Sequence, residues 1–366
     1  MKGPKNLILL QLFLAILLIV VLYFAFVTLS LKVPSTVATS IVQEAQNLSF
    51  IHSSPVTTPR NIINNDFNIW LIFTKVNNKS SLTYKFGNLV HNLLNVTSVP
   101  LRFHILVDEK SKGIAQNKLS EVVYRSNKSL VYTFYDVQNA AAKIQDIVRV
   151  MTPFFSSKPG TYYSDALFYI SLGLYRVAPL SQKRAILLDC DLFFKKDVAL
   201  LFEQFNSFKP TALFGLAPEL SPVYRHILHM YKLKHKTTFG DFYHQRPISP
   251  YKTHPQGFQG YNSGVVMINF VKLRTSKEFP KVISKLNIIN MTEKYRFRGH
   301  LGDQDFYTML GYEFPHLIQT IHCGFNRQLC TWWKDHGYRE IFDYYFQCEH
   351  PVMVLHGNCN TKLPRV

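Results

Sequence analysis

Residues 185–194 read AILLDCDLFF: four apolar side chains, then Asp189 and Asp191 on either side of Cys190, then three more apolar residues. A short apolar run bounded by polar residues predicts a buried strand. Alternate side chains of a strand point the same way, so both carboxylates at its mouth are predicted to face one ligand. Two carboxylates this close repel each other unless a cation lies between them. Hard oxygen donors suit Mg²⁺ or Mn²⁺, which also bind nucleotide phosphates. The simpler alternative is that one Asp caps a turn and the other pairs with Lys195 or Lys196; the tripeptide alone does not choose.

The same pattern recurs along the chain. NIWLIFT (68–74), LRFHILVD (101–108), SLVYTFYD (129–136) and RAILLDCD (184–191) are apolar runs, the last three ending in an acid. Between them the sequence is helix-like, as in the spacing of Leu82, Phe86, Leu89, Val90 and Leu93. Strand alternating with helix predicts an α/β domain built on a parallel sheet covered on both faces. Ligands of such sheets collect beyond the carboxyl ends of the strands, which puts Phe73, Thr74, Lys75, Asp108, Asp136, Asp189 and Asp191 on one rim. Further on, TALFGLA (211–217) and GYNSGVVMINF (260–270) read as strands and DQDFYTMLG (303–311) as a helix with acids near its start, while the polar stretch 232–259 reads as a long loop. No internal repeat is visible.

Ahead of this domain, Leu7 to Leu31 is an uncharged run preceded by Lys2 and Lys5. A transmembrane helix needs about 20 apolar residues, whereas the apolar region of a cleaved signal peptide spans only about 7–15. The reading adopted is a retained anchor: a cytoplasmic tail (1–6), a transmembrane helix (7–31), a Ser, Thr, Asn and Pro-rich stem (32–66), and a lumenal domain (67–366). Glycosylation acceptors at Asn47, Asn78, Asn95, Asn127 and Asn290 agree with a lumenal placement. So does the crowding of Cys323, Cys330, Cys348 and Cys359 near the C-terminus, whose spacing lacks the CxxC of a zinc site and suits disulfides. The net charge of +18 is read with a nucleotide sugar or a membrane surface, since no nucleic-acid module is present.

Two more segments carry candidate chemistry. VMVLHGNCN (352–360) is an apolar strand ending in His356, whose neutral imidazole can complete a metal shell; nitrogen beside oxygens favours Mn²⁺ over Mg²⁺. The alternative is a structural histidine. Cys359, clamped to Cys323 or Cys330, would fix that loop over the sheet. GHLGDQDF (299–306) has glycines that let backbone approach a ligand, and Gln304, an amide that neither ionises nor attacks. Here Asp303 and Asp305 can equally be helix-capping residues.

AILLDCDLFF, GYNSGVVMINF, GHLGDQDF and LHGNCN stand in the order and approximate spacing of family 8 glycosyltransferases, the glycogenin-like retaining enzymes, and the chain resembles that family over roughly residues 67–362. The anchor, NRQLCTWWKDHGY (326–338) and the four-cysteine tail narrow the resemblance to xyloside xylosyltransferases of the endoplasmic reticulum membrane. It implies a GT-A fold (Rossmann-like, nucleotide-sugar-binding) and transfer from UDP-xylose, with Mn²⁺ as cofactor (Mg²⁺ the alternative). The implied acceptor is xylose-glucose on EGF-like repeats of Notch-type proteins, the product an α1,3 linkage with retained configuration. It implies that Asp189, Asp191 and His356 bind the metal, and that Phe73, Thr74, Lys75, Cys190, Ser263 and Leu301 bind the donor, Cys190 through its backbone. Gln304 is placed near the reacting carbon and the acceptor, with Trp333, Asn358 and the run His226, Ile227, Leu228, His229 on the acceptor side. It also implies bridges Cys323–Cys348 and Cys330–Cys359, and leaves a homodimer open. Cys190 departs from the small or apolar residue of related enzymes. The competing readings are a related transferase with another donor or acceptor, and a lumenal binding protein that has lost catalysis.

Overall fold

Continuous apolar runs become the centre of a seven-stranded sheet, ordered β3-β2-β1-β4-β7-β6-β8. Its strands are β1 (Asn68–Phe73), β2 (Arg102–Val107), β3 (Val131–Asp136), β4 (Arg184–Leu188), β6 (Phe214–Pro218), β7 (Tyr261–Asn269) and β8 (Ile318–Thr320). A second sheet has three short strands, β5 (Leu192–Phe194), β9 (Arg327–Gln328) and β10 (Val354–His356), in the order β5-β10-β9. The computed structural model describes residues 66–156, 166–224, 259–295 and 297–366, all within the unit Pro59–Val366. The anchor, the stem up to residue 65, Asn47, His226–His229 and nearly all of the 232–259 loop lie outside the described residues. Among the described residues no helix is long and apolar enough to cross a membrane.

The first four strands of the chain pair parallel, as expected. The sheet as a whole is mixed, because the strands beyond that parallel part bring in the other direction: β7 runs antiparallel to both β4 and β6, and β6 pairs parallel with β8. An apolar strand buried on both faces looks the same in either direction, so composition does not report its polarity. Both faces are covered. Trp70, Leu187, Phe214, Leu216 and Val266 face one core, and Ile69, Leu71, Ile186, Leu188 and Val265 the other, in the alternation a pleated strand imposes.

The helices are set by their caps. Ser80 caps Ser81–Val96 by accepting from the Leu82 N–H, and Asp108 caps Glu109–Ser126 through the Ser111 N–H. Asp136 does the same for Val137–Lys143 through Asn139. Two disulfides, Cys323–Cys348 and Cys330–Cys359, form in the C-terminal segment with the pairing the resemblance implies. The acceptor asparagines Asn78, Asn95, Asn127 and Asn290 are exposed.

Candidate active site

The acid pair is not on a strand. β4 ends at Leu188 and β5 begins at Leu192, so Asp189, Cys190 and Asp191 form the bend by which the chain leaves the large sheet for the small one. This corrects the expectation that strand alternation aims the two carboxylates. What aims them is the bend: the Asp189 N–H donates to the Gly264 carbonyl of β7 at 2.9 Å, and the Asp191 carbonyl accepts from the Gly357 N–H at 2.8 Å. Cys190 turns inward, 6% exposed, with its Sγ 3.5 Å from the Ile72 carbonyl. Burial pushes its thiol up, with the charge of Asp189 adding to the effect, so this side chain is neutral. Only its backbone faces the bend.

His356 reaches the acids through the small sheet. β10 pairs antiparallel with β5 in a register that sets His356 opposite Leu192, the residue after Asp191. Its Nε2 lies 3.4 Å from Asp191 Oδ1 and 3.6 Å from Asp189 Oδ2. One ligand atom from each of the three residues falls within 4.8 Å of the others. The donor set of two carboxylates and an imidazole fits a divalent cation. The ring lies against Gly264, where a Cβ would come 2.3 Å from the imidazole Cε1. Lys85, on the helix Ser81–Val96, places its Nζ 3.2 Å from Asp191 Oδ2 and 3.0 Å from Asn360 Oδ1, so the lysine beside Asp191 is this distant one.

The charges respond to one another. Desolvation and then the charge of Asp191 push the Asp189 carboxyl up, although its side chain keeps 58% of its surface open; the like-charge repulsion is the cause that survives that exposure. Burial raises Asp191 as well, but the hydrogen bond and charge of His356, with Lys85, hold it well below the usual carboxylate range. Burial lowers the His356 imidazole, and Asp191, Asp189 and Glu219 outweigh this and raise it. These shifts are those of a crowded acid pair drawing positive charge toward itself.

Gln304 sits near the start of the helix Asp303–Glu313, half-buried, its Oε1 accepting from the Ser263 N–H at 3.2 Å. Ser263 precedes Gly264, so β7 joins the amide to the cluster of Asp189, Asp191 and His356. Asp303 and Asp305 do not cap the helix; the cap position is Gly302, with a φ of 66°. Asp305 turns back to accept from the His300 and Leu301 N–H groups at 2.5 and 2.6 Å and from the Tyr224 hydroxyl at 2.9 Å, which Gly299 permits by having no side chain in the way. Asp303 accepts from Ser171, and burial pushes it up to about 7.

At the end of β1, Phe73 is buried against Phe86, ring centroids 4.4 Å apart, leaving backbone to meet a ligand. Thr74 is half-buried; Lys75 is exposed in left-handed backbone at φ 57°, its N–H held by Asp108 Oδ2 at 2.5 Å. Leu301 is half-buried above the Asp305 carboxylate. Trp333 is half-buried and edge-on to Trp332 at 4.9 Å. The Asn358 side-chain oxygen accepts from the Leu329 and Cys330 N–H groups at 3.0 and 2.9 Å, so this residue shapes the disulfide-linked loop that leads to Trp333. His226–His229 lie outside the described residues.

Sequence reading missed four residues: Lys85, Glu219, Asn262 and Asn326. Glu219 is buried one position beyond β6, and follows an apolar run as Asp108 and Asp136 do. Asn262 and Asn326 lie inside segments already singled out, YNSG and NRQLC, but nothing local marks them as partners. Lys85 looks like any solvent-facing helix residue.

No protein-family model matches the chain. The chain is similar to xyloside xylosyltransferase 1 of Homo sapiens, 38% identical over 305 residues that span 82% of this chain and 75% of the human protein. The Mus musculus protein of the same name is 37% identical over 309 residues, spanning 82% of this chain and 75% of its own. The crystal structure of mouse xyloside xylosyltransferase 1 in its apo form matches with a TM-score of 0.72 at 37% identity, covering 81% of this chain and 99% of that one.

Proposed function

The chain belongs to the xyloside xylosyltransferase family, with its GT-A-like mixed α/β fold, and from that premise we propose that it moves xylose from UDP-xylose to a xylose-glucose acceptor. The acceptor is O-linked to EGF-like repeats of Notch-type proteins, and the bond formed is α1,3 with retained configuration. The observation that carries this reading is the β5–β10 register, which brings His356 to 3.4 and 3.6 Å from an acid pair more than 160 residues away in the chain.

Mn²⁺ is the proposed cation, because an imidazole among oxygens favours it over Mg²⁺; when bound it neutralises the charge that grows on the departing diphosphate. The chain's own groups do the rest. Lys85 and Lys75 stand at the same edge of the sheet as further positive charge for that diphosphate. The backbone of Phe73, Thr74 and Lys75 holds the uridine, and Cys190 contributes its backbone beside the acids. Ser263 and Leu301 line the sugar donor. Gln304 is a poor nucleophile, so a covalent double displacement is set aside for attack on the same face, with the acceptor hydroxyl proton passing to the departing phosphate. Trp333, Asn358 and His226–His229 form the acceptor side. A type II anchor places the domain in the lumen of the endoplasmic reticulum; paired cysteines and exposed glycosylation acceptors support such a compartment.

The test is to incubate the purified protein with a panel of UDP-sugars, Mn²⁺ and a xylose-glucose acceptor, and to weigh the product. One added pentose from UDP-xylose alone is expected. Transfer from another donor, or none from UDP-xylose, overturns the reading.

A further inference from the structure

One group of buried polar side chains takes no part in the reaction as described. Glu219 is 3% exposed, and three donors converge on it. Its Oε1 accepts from the Ser221 N–H at 2.9 Å, and its Oε2 from Asn262 Nδ2 at 2.9 Å and Gln304 Nε2 at 3.3 Å. A site on which three donors converge needs an acceptor, which an ionised carboxylate supplies and a protonated one or an amide does only in part.

The order continues from there. With its Nδ2 given to Glu219, Asn262 turns its Oδ1 to the Gly264 N–H at 3.0 Å and to Asn326 Nδ2 at 2.8 Å. Asn326, fully buried, is thereby left with its Oδ1 facing His356 Nδ1 at 2.9 Å. An oxygen there accepts, so Nδ1 must carry a hydrogen. In the neutral ring Nε2 is then the bare nitrogen, and Nε2 is the atom aimed at Asp189 and Asp191. The second arm is shorter: Glu219 takes the Gln304 amide nitrogen, so the amide oxygen turns to Ser263.

We infer that Glu219 is a positioning residue that sets, through Asn262 and Asn326, which nitrogen of His356 is offered to a metal, and directly sets which end of the Gln304 amide faces the site. The inference rests on the proposed reading of His356 as a metal ligand and Gln304 as a residue of the transfer. Outer partners of metal-bound histidines commonly fix the tautomer, and losing one costs about 10- to 100-fold in metal affinity or activity. Here the fixing group is three side chains away.

The experiment labels the histidine rings with ¹⁵N in the purified, metal-free protein and assigns His356 by loss of its signals in His356→Gln. The pH is raised until its shifts stop moving, so that the neutral ring is read. The wild type is expected to show the Nδ1–H tautomer, and the Nε2–H tautomer overturns the inference without any variant being made. E219Q keeps the shape but puts an N–H where donors already point; the fixed tautomer should be lost, Mn²⁺ affinity by titration should fall about 10- to 100-fold, and kcat should fall at saturating Mn²⁺. An unchanged tautomer and unchanged Mn²⁺ affinity in folded E219Q overturn it. If E219Q does not fold, Asn326→Leu cuts the relay at the histidine, and the same two unchanged readings overturn the inference there. Neither reading uses a sugar donor, so a failed transferase assay and a failed relay are told apart.

Discussion

The acids at the ends of β2 and β3 and those that follow β4 come after similar apolar runs, yet they serve different ends. Asp108 and Asp136 are each followed at once by a helix, and each turns its carboxylate to that helix's first turn, at 2.9 Å to the Ser111 N–H and 2.8 Å to the Asn139 N–H. Asp189 and Asp191 are followed by three residues of strand that pair with β10, so no free N–H groups of a helix claim them and an imidazole comes to face them instead. The contrast teaches that an acid at the end of a strand is read by what the chain does next.

Breaking the ligand set should have the largest effect. Asp191→Ala or His356→Ala is expected to lower xylosyl transfer about 10²-fold or more, with both disulfides still formed by mass mapping; full activity in either variant would place the chemistry elsewhere. The contrast sharpens at a titratable group inside the sheet. Burial and then the charge of Arg102 lower His104 to about 4, among Asn68, Gln182 and Tyr135. Its pKa is lower in the folded than in the unfolded chain, so the unfolded state takes up the proton first. Stability is then full above about pH 6.5 and falls by about 3 kcal/mol as pH drops toward 4. Denaturant unfolding should show a fall of that size in the wild type that is largely missing from His104→Gln.

A smaller effect is expected from Gly264→Ala, which adds a methyl where His356 lies and removes no ligand atom. Mn²⁺ affinity should drop about 10- to 100-fold, as for loss of an orienting partner, and a titration matching wild type would mean the ring has room to move. Asp136→Ala, at the smallest end, should cost about 1 kcal/mol or less as a lost helix cap. It should leave transfer unchanged; a large loss of activity with normal stability would join Asp136 to the site and erase the distinction drawn above.

Much of the scaffold was legible because buried strands are written as unbroken apolar runs and their helices as spaced ones. The acid pair, His356 and Gln304 could be picked out as motifs in one ordered set. The direction of β7 could not, because its apolar run has no polar face to betray its neighbours. Nor could the bend that aims Asp189 and Asp191, since the same residues serve as well for a continued strand. The link from Glu219 to His356 was out of reach for a different reason: Glu219, Asn262, Asn326 and His356 lie far apart in the chain, and none has a neighbour that marks its partner. Asn358, read as facing a ligand, has its oxygen bound to the loop after β9.

The bend at residues 189–191 is also a seam. Asp189 is fastened to β7 of the large sheet through the Gly264 carbonyl, and His356 belongs to the small one. Any ion gripped by both becomes a rivet across two separately hydrogen-bonded plates. Loading the site should therefore slow deuterium uptake along Leu192–Phe194 and Val354–His356, well beyond the atoms the ion touches.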